Sequence, residues 1–250
     1  MFLTRIEIDP RRRLARRYLG SSQVMHAVVM KAATGGDAAP VEDPEVVGPG
    51  AGRVLWRVDV GDFGVLLYIL SPQAPAIQRL EHEVAAPGTQ ARTVDYGPFL
   101  SRLADGQVWA FRLAANPQRA VPQGLGVRGK RCGHVTVNQQ RQWLTERAAR
   151  NGFSLLDQDP SSGHSAGVTA PYAPEADNWA SVLVVRRQRP VFSRQRDGGR
   201  GRDRVRINRT VYEGALRITD VALIRQVLVG GLGASKAYGC GLLTLARPGG

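Results

Sequence analysis

Cysteine is scarce: Cys132 and Cys240 are the only two in 250 residues. They lie far apart, without a CxxC pair or adjacent histidines, so neither a disulfide framework nor a structural zinc site is expected. Long apolar runs are missing as well, and none approaches the ~18 residues that a bilayer-crossing helix needs. The opening Met1-Phe2-Leu3-Thr4-Arg5-Ile6-Glu7 alternates polar with apolar residues, where a signal peptide would build an apolar core. A cytoplasmic chain without a membrane partner is the expectation. No cluster of carboxylates suggests a metal, and no cofactor is expected. Lysine is nearly absent: Lys31, Lys130 and Lys236 are three of 34 basic residues, and the other 31 are arginine. With 43% hydrophobic and 22% charged residues, the chain is too apolar for general disorder, and its length suits one to two domains.

What is abundant is positive charge, +13 overall with a sequence pI near 10.9. A polyanionic partner follows. Arginine presents a planar fork that matches phosphate and guanine edges, which favours nucleic acid over a lipid surface.

Along the chain, Phe2, Thr4, Ile6 and Ile8 alternate with polar residues and predict an N-terminal strand. Asp9-Pro10 ends it, and Arg11, Arg12, Arg13, Arg16 and Arg17 follow. Gly20-Ser21-Ser22 supplies a cap for a helix over about 23–33, whose Val24, Met25, Val28, Val29 and Ala32 recur at helical spacing. Residues 35–52 read as a loop. Strands are expected at 53–60 and 64–71, joined by Gly61-Asp62-Phe63, then helical or irregular stretches near 74–80 and 98–103. A strand at 107–114, ended by Asn116-Pro117, completes a β-α-β-β-α-β order.

That order predicts a ferredoxin-like (RRM-like) unit over 1–117, an antiparallel sheet with helices on one face. Residues 118–130, rich in Gly and Pro, read as a linker. The same order seen again over 131–250 gives an α+β chain of two tandem ferredoxin-like units. Its second half holds strands at 131–137, 153–157, 179–187, 205–219 and 241–246, and helices at 138–151 and 220–229, with 188–204 polar and arginine-dense.

Three features carry chemistry. The first is the glycine-rich segment from Gly230 to Leu243, with Gly231, Gly233, Ser235, Lys236, Gly239 and Gly241. Its glycines permit close backbone approach, so its amides can face a phosphate, and a purely structural turn is the alternative. It is no Walker loop, since it follows a helix and precedes a strand. The second is the run Arg186, Arg187, Arg189, Arg194, Arg196, Arg200, Arg202, Arg204, Arg206 and Arg209, whose self-repulsion a polyanion would relieve. The third is His26. A lone helical histidine is commonly structural, but arginines precede this helix, Ser22 and Gln23 lie within a turn, and Lys31 shares the helix. Imidazole exchanges a proton near neutrality, and RNA cleavage by its own 2′-OH needs an acid or base and nearby cations.

The opening strand, Gln23-x-x-His26, the Phe111-to-Pro117 strand end, Gly129-Lys130-Arg131 and the closing Gly231-x-Gly-x-x-Lys236-x-x-Gly-x-Gly-Leu-Leu together resemble the CasE family of type I-E CRISPR RNA-processing endoribonucleases. The resemblance spans nearly the whole chain. It implies the tandem ferredoxin-like fold and metal-independent cleavage at the 3′ base of the repeat hairpin of precursor CRISPR RNA. It further implies a 5′-hydroxyl and a 2′,3′-cyclic or 3′-phosphate end, and retention of the product with the other Cascade subunits. By position, His26 and Lys31 match the family's catalytic residues, with Ser22 and Gln23 as assistants. Some relatives carry tyrosine where this chain has Gln23, which cannot exchange a proton near neutrality, so histidine is implied to act without that tyrosine. Arg11, Arg12, Arg13, Arg128, Lys130, Arg131, Arg186, Arg187, Arg189, Arg194, Arg204 and Arg206 are expected to hold RNA. The glycine loop is expected to approach its backbone, and the free chain to be a monomer. A two-domain RNA binder without activity is the alternative reading.

Overall fold

The computed structural model describes residues 1–35, 53–62, 64–124, 129–156, 182–195 and 202–248, with backbone alone at 194, 195, 202 and 203. Arg128, Phe63, and most of the long loops expected at 35–52 and 158–178 lie outside these residues.

The first sheet forms as the alternation dictates. Strand β1 (Phe2–Ile8) is followed by helices α1 (Arg13–Gly20) and α2 (Ser22–Ala33), then strands β2 (Leu55–Gly61) and β3 (Gly64–Ser71). Helix α3 (Gln78–Val84) and strand β4 (Arg92–Asp95) complete it. The antiparallel order is β2-β3-β1-β4. Ile6 and Ile8 face Leu67 and Val65 across the β1–β3 ladder, and Met25, Val29 and Ala32 of α2 cover them. Residues at i, i+4 and i+7 share one helix face, so the stripe seen in the sequence is the buried one. Helix α1 was not expected; its Ala15 and Tyr18 are buried beneath a surface of arginines.

The fourth strand of this sheet is a correction. Arg92–Asp95, exposed along its whole length, takes the place expected for 107–114. After a short helix α4 (Gly97–Ser101), that later segment becomes β5 (Val108–Ala115) at the interior of a second sheet. Alternation marks a segment as a strand but carries no record of its partner, and an exposed edge strand shows no alternation.

The second sheet comprises β5, β8 (Phe153–Leu155), β9 (Val182–Gln188), β12 (Arg209–Ile218) and β13 (Leu243–Ala246). Its order is β13-β5-β12-β8, with β9 also paired to β12. Helix α5 (Val137–Ala148) opens on a capping box between Thr136 and Gln139, and Asp220 caps α6 (Val221–Gly230). The ferredoxin-like order thus occurs twice, but the second round starts at β5. The expected division at 117, with a linker over 118–130, does not match this pairing: β6 (Gln118–Val121) and β7 (Lys130–Gly133) form a hairpin there. The arginine-dense stretch is a second hairpin, β10 (Val191–Gln195) with β11 (Arg202–Arg206). Ile207-Asn208 separates β11 from β12, where one strand over 205–219 was expected.

The two sheets are joined through a buried cation. Arg57 of β2, 2% exposed, pairs both oxygens of Asp59 at 2.8 Å. Its remaining N–H groups donate to the Arg112 carbonyl of β5, to the Leu242 carbonyl just before β13 and to Thr244 Oγ1 of β13, each at 2.9 Å. Arg112 adds a contact of 3.4 Å to Asp59 and pairs Glu213 of β12 at 2.9 Å. On the same face, Leu55 and Leu70 enter a core with Phe111, Leu113 and Leu243. Removing one member of a buried pair leaves the other charge uncompensated. Arg57→Leu is expected to lower the unfolding free energy by about 3–5 kcal/mol, read from the denaturant midpoint; a shift under ~1 kcal/mol would contradict this role.

Candidate active site

Helix α2 begins where Ser21 accepts a bond from the Val24 amide. One turn on, His26 has a buried Nδ1 without a partner, and burial lowers its pKa from the usual 6.5. Burial thus favours the neutral imidazole over the charged one. Its ring meets Tyr238 edge-on, centroids 6.5 Å apart. Tyr238 in turn packs against Phe192 of β10 at 4.6 Å. Helix, glycine segment and arginine hairpin therefore converge at one point.

The glycine segment is held rigidly. Lys236–Tyr238 form a single 3-10 turn, flanked by Ser235 at φ 64° and Gly239 at φ 76°. A Cβ on Gly239 would lie 2.7 Å from the Trp56 ring, so the turn sits directly on the first sheet's core. Asn116, 1% exposed, donates to Ser235 Oγ at 2.8 Å and accepts from the Asn208 amide at 3.2 Å. That is the role of the Asn-Pro strand end. Arg209 donates to Ser22 Oγ at 2.7 Å and to the Tyr238 carbonyl at 2.6 Å, clamping α2 to the turn. Lys236 folds back along Gly231 and Gly241, and burial, then Arg53, lowers its pKa.

Beside the turn lies a groove of about 540 Å³ lined by Arg53, Arg119, Arg131, Arg147 and Lys236, with Trp143 on its wall and no acidic residue. Arg147 stacks over Trp143 at 4.4 Å. Such a surface suits a phosphate backbone with an unstacked base.

The expected residues are distributed unevenly. Gln23 lies one turn before His26, and Ser22 Oγ accepts from Arg209. Lys31, five residues on from His26, is turned by about 140° around the helix and lines a hollow with Tyr18, Arg79 and Glu83. Arg11 pairs with Asp9 at 3.0 Å and Arg12 donates to the Ala85 carbonyl, so the Arg11–Arg13 group belongs to the far end of α1. Arg131 lies in the groove. Lys130, Arg186, Arg187, Arg189, Arg204 and Arg206 are exposed, although Arg187 also donates to the Val135 carbonyl; the Arg194 side chain is outside the description. Gly231, Gly233 and Gly239 closely approach Leu55, Trp143 and Trp56, so their positions answer first to inward packing. Tyr238, Phe192, Arg53, Arg119 and Arg147 were not singled out by sequence as site residues, and Arg209 was read only as the last of the basic run, not as a clamp between α2 and the turn. An aromatic set among glycines was the available signal for Tyr238. Among the described residues no three His, Cys, Asp or Glu side chains group as metal ligands would. Cys240 is buried and Cys132 half-buried, both free thiols. No helix among the described residues is long and apolar enough to cross a membrane.

A sequence model of the family described as CRISPR associated protein matches residues 1–247. The CRISPR-associated endoribonuclease Cse3 of Thermus thermophilus is 28% identical over 249 residues, 98% of this chain and 100% of that one. A solved structure of CRISPR endoribonuclease Cse3 bound to a 19-nucleotide RNA superposes with a TM-score of 0.71 at 25% identity, covering 99% of this chain and 100% of the other. Thermus thermophilus Cse3 bound to an RNA representing a pre-cleavage complex gives 0.65, also at 25% identity, over 98% of each chain.

Gly239 combines a positive φ with contact against an aromatic ring. Gly239→Ala is expected to cost more than the ~1 kcal/mol of the backbone penalty alone, because the methyl must also displace Trp56. Chemical denaturation measures it, and an unchanged midpoint would contradict the packing described.

Proposed function

The chain belongs to the CRISPR-associated protein family, and we propose that it is an endoribonuclease that binds the repeat stem-loop of precursor CRISPR RNA and cuts at its 3′ base. Supporting this are the relative named an endoribonuclease and the RNA-bound structures that share the fold. The observation in this chain that carries the reading is a half-buried imidazole at the junction of a basic hairpin and a rigid basic turn.

RNA contains its own nucleophile. The 2′-OH gives its proton to His26 through Nε2, the ring nitrogen that is not buried, while the 2′-oxygen attacks the adjacent phosphorus. The bond from phosphorus to the 5′-oxygen breaks, and that oxygen takes up a proton. A 2′,3′-cyclic phosphate, open to hydrolysis to a 3′-phosphate, and a 5′-hydroxyl result. No metal is required by this sequence of bonds. Arginines of β9 to β11 and the groove around Lys236 hold the RNA, and their charge stabilises the phosphorane. Lys31, further along α2, adds a cation that can hold the RNA backbone. A-form RNA presents shape and phosphates more readily than base edges, which suits the β10–β11 hairpin. The chain is a cytoplasmic monomer when free, and it keeps its product as one subunit of a Cascade surveillance complex.

His26→Ala is expected to lower single-turnover cleavage by about 10²–10⁴-fold with hairpin affinity preserved; equal cleavage by the two proteins would overturn the assignment. The base must be unprotonated, and burial lowers its pKa from 6.5. The wild-type rate should therefore hold level above neutrality and fall with acid through an apparent pKa below that value, as a pH profile of single-turnover rates will test.

A further inference from the structure

Cleavage by the 2′-OH moves two protons, one off the nucleophile and one onto the departing 5′-oxygen. A neutral His26 accounts for the first. The second needs a donor on the same side of the helix, and the residues nearby narrow the choice. Gln23 has no exchangeable proton near neutrality. Ser22 Oγ accepts from Arg209, and an aliphatic hydroxyl is a far weaker acid than a phenol; Lys31 lines the hollow beside Glu83, and the Lys236 stem folds back along Gly231 and Gly241 into the groove with Arg53.

Tyr238 is different. Its ring is edge-on to His26 at 6.5 Å and braced from another side by Phe192 at 4.6 Å. Its carbonyl is fixed by Arg209 at 2.6 Å, and its neighbour Gly239 is pressed on Trp56. Its hydroxyl has no protein partner among the described residues. A phenol held on a rigid turn beside a general base, with its O–H uncommitted, has the pre-organisation expected of a proton donor.

Resting on the endoribonuclease reading, we propose that Tyr238 is the second catalytic residue, the general acid for the 5′-oxygen. His26 takes the 2′-OH proton as the 2′-oxygen bonds to phosphorus. Tyr238 gives its hydroxyl proton to the 5′-oxygen as that bond breaks. The imidazolium and phenolate formed then return to their resting states by proton exchange with water. Because Phe192 stands on the β10–β11 hairpin, RNA bound to those arginines would steady the same ring that delivers the proton.

The test uses repeat RNA and a copy in which sulfur replaces the bridging 5′-oxygen at the cut, since a thiolate departs without protonation. Tyr238→Phe keeps the ring and removes the proton. On the oxygen RNA it is expected to slow single-turnover cleavage by about 10²-fold at unchanged affinity. On the sulfur RNA the variant and wild type should agree within about 3-fold, leaving little for an acid to contribute. Equal rates on the oxygen RNA, or an equal deficit on both RNAs, would overturn the acid role; the latter would mean that Tyr238 only positions His26. If wild type cuts neither RNA, the endoribonuclease reading itself fails.

Discussion

Arg57 sets the geometry on which everything else depends. A guanidinium taken out of water costs several kcal/mol, and its pair with Asp59 alone would scarcely recover that. The cost is offset because every remaining N–H direction finds an acceptor, and those acceptors belong to the other sheet. One side chain of β2 thereby fixes β5 and β13 against the first sheet. Since β13 follows the glycine segment directly, the same bonds set where that segment lies over α2. The glycines then allow it to press on Leu55, Trp56 and Trp143, and Arg209 closes the contact from β12.

The site is therefore assembled from distant parts of the chain. His26 comes from the first ferredoxin-like unit, Tyr238 from the turn before the last strand, and Phe192 from a hairpin inserted between β9 and β12. Half-burial favours the neutral imidazole of His26, the form that the proposed general base requires. In the proposed reaction the surrounding positive charge serves two purposes: it gathers a polyanion, and it stabilises charge on phosphorus.

Much of this was legible in the sequence where the signal was local. The alternation in β1, the stripe of Met25, Val29 and Ala32, and the segments of α5 and α6 each arise from one-sided burial, which leaves a period. Partnership leaves none. Segment 107–114 was recognisable as a strand but not as a member of the second sheet, and exposed Arg92–Asp95 carried no pattern at all. The arginines of α1 masked Ala15 and Tyr18 beneath them. His26 stood out by its residue type and its surroundings, whereas Tyr238, Phe192 and Arg209 gain meaning only from contacts between units. Lys31 shares the helix of His26 but lies about 140° around it, a relation that spacing along the sequence gives only once the helix is known.

The central claim is that the nucleophile is the RNA's own 2′-hydroxyl, activated by a protein side chain. It is tested most directly with protein in excess, in EDTA, on repeat RNA from its own CRISPR locus and on the same RNA carrying one 2′-deoxy sugar at the scissile position. The account predicts complete cleavage of the first and none of the second, with both bound equally well. Cleavage of the deoxy RNA, or cleavage that appears only when a divalent metal is restored, would contradict it.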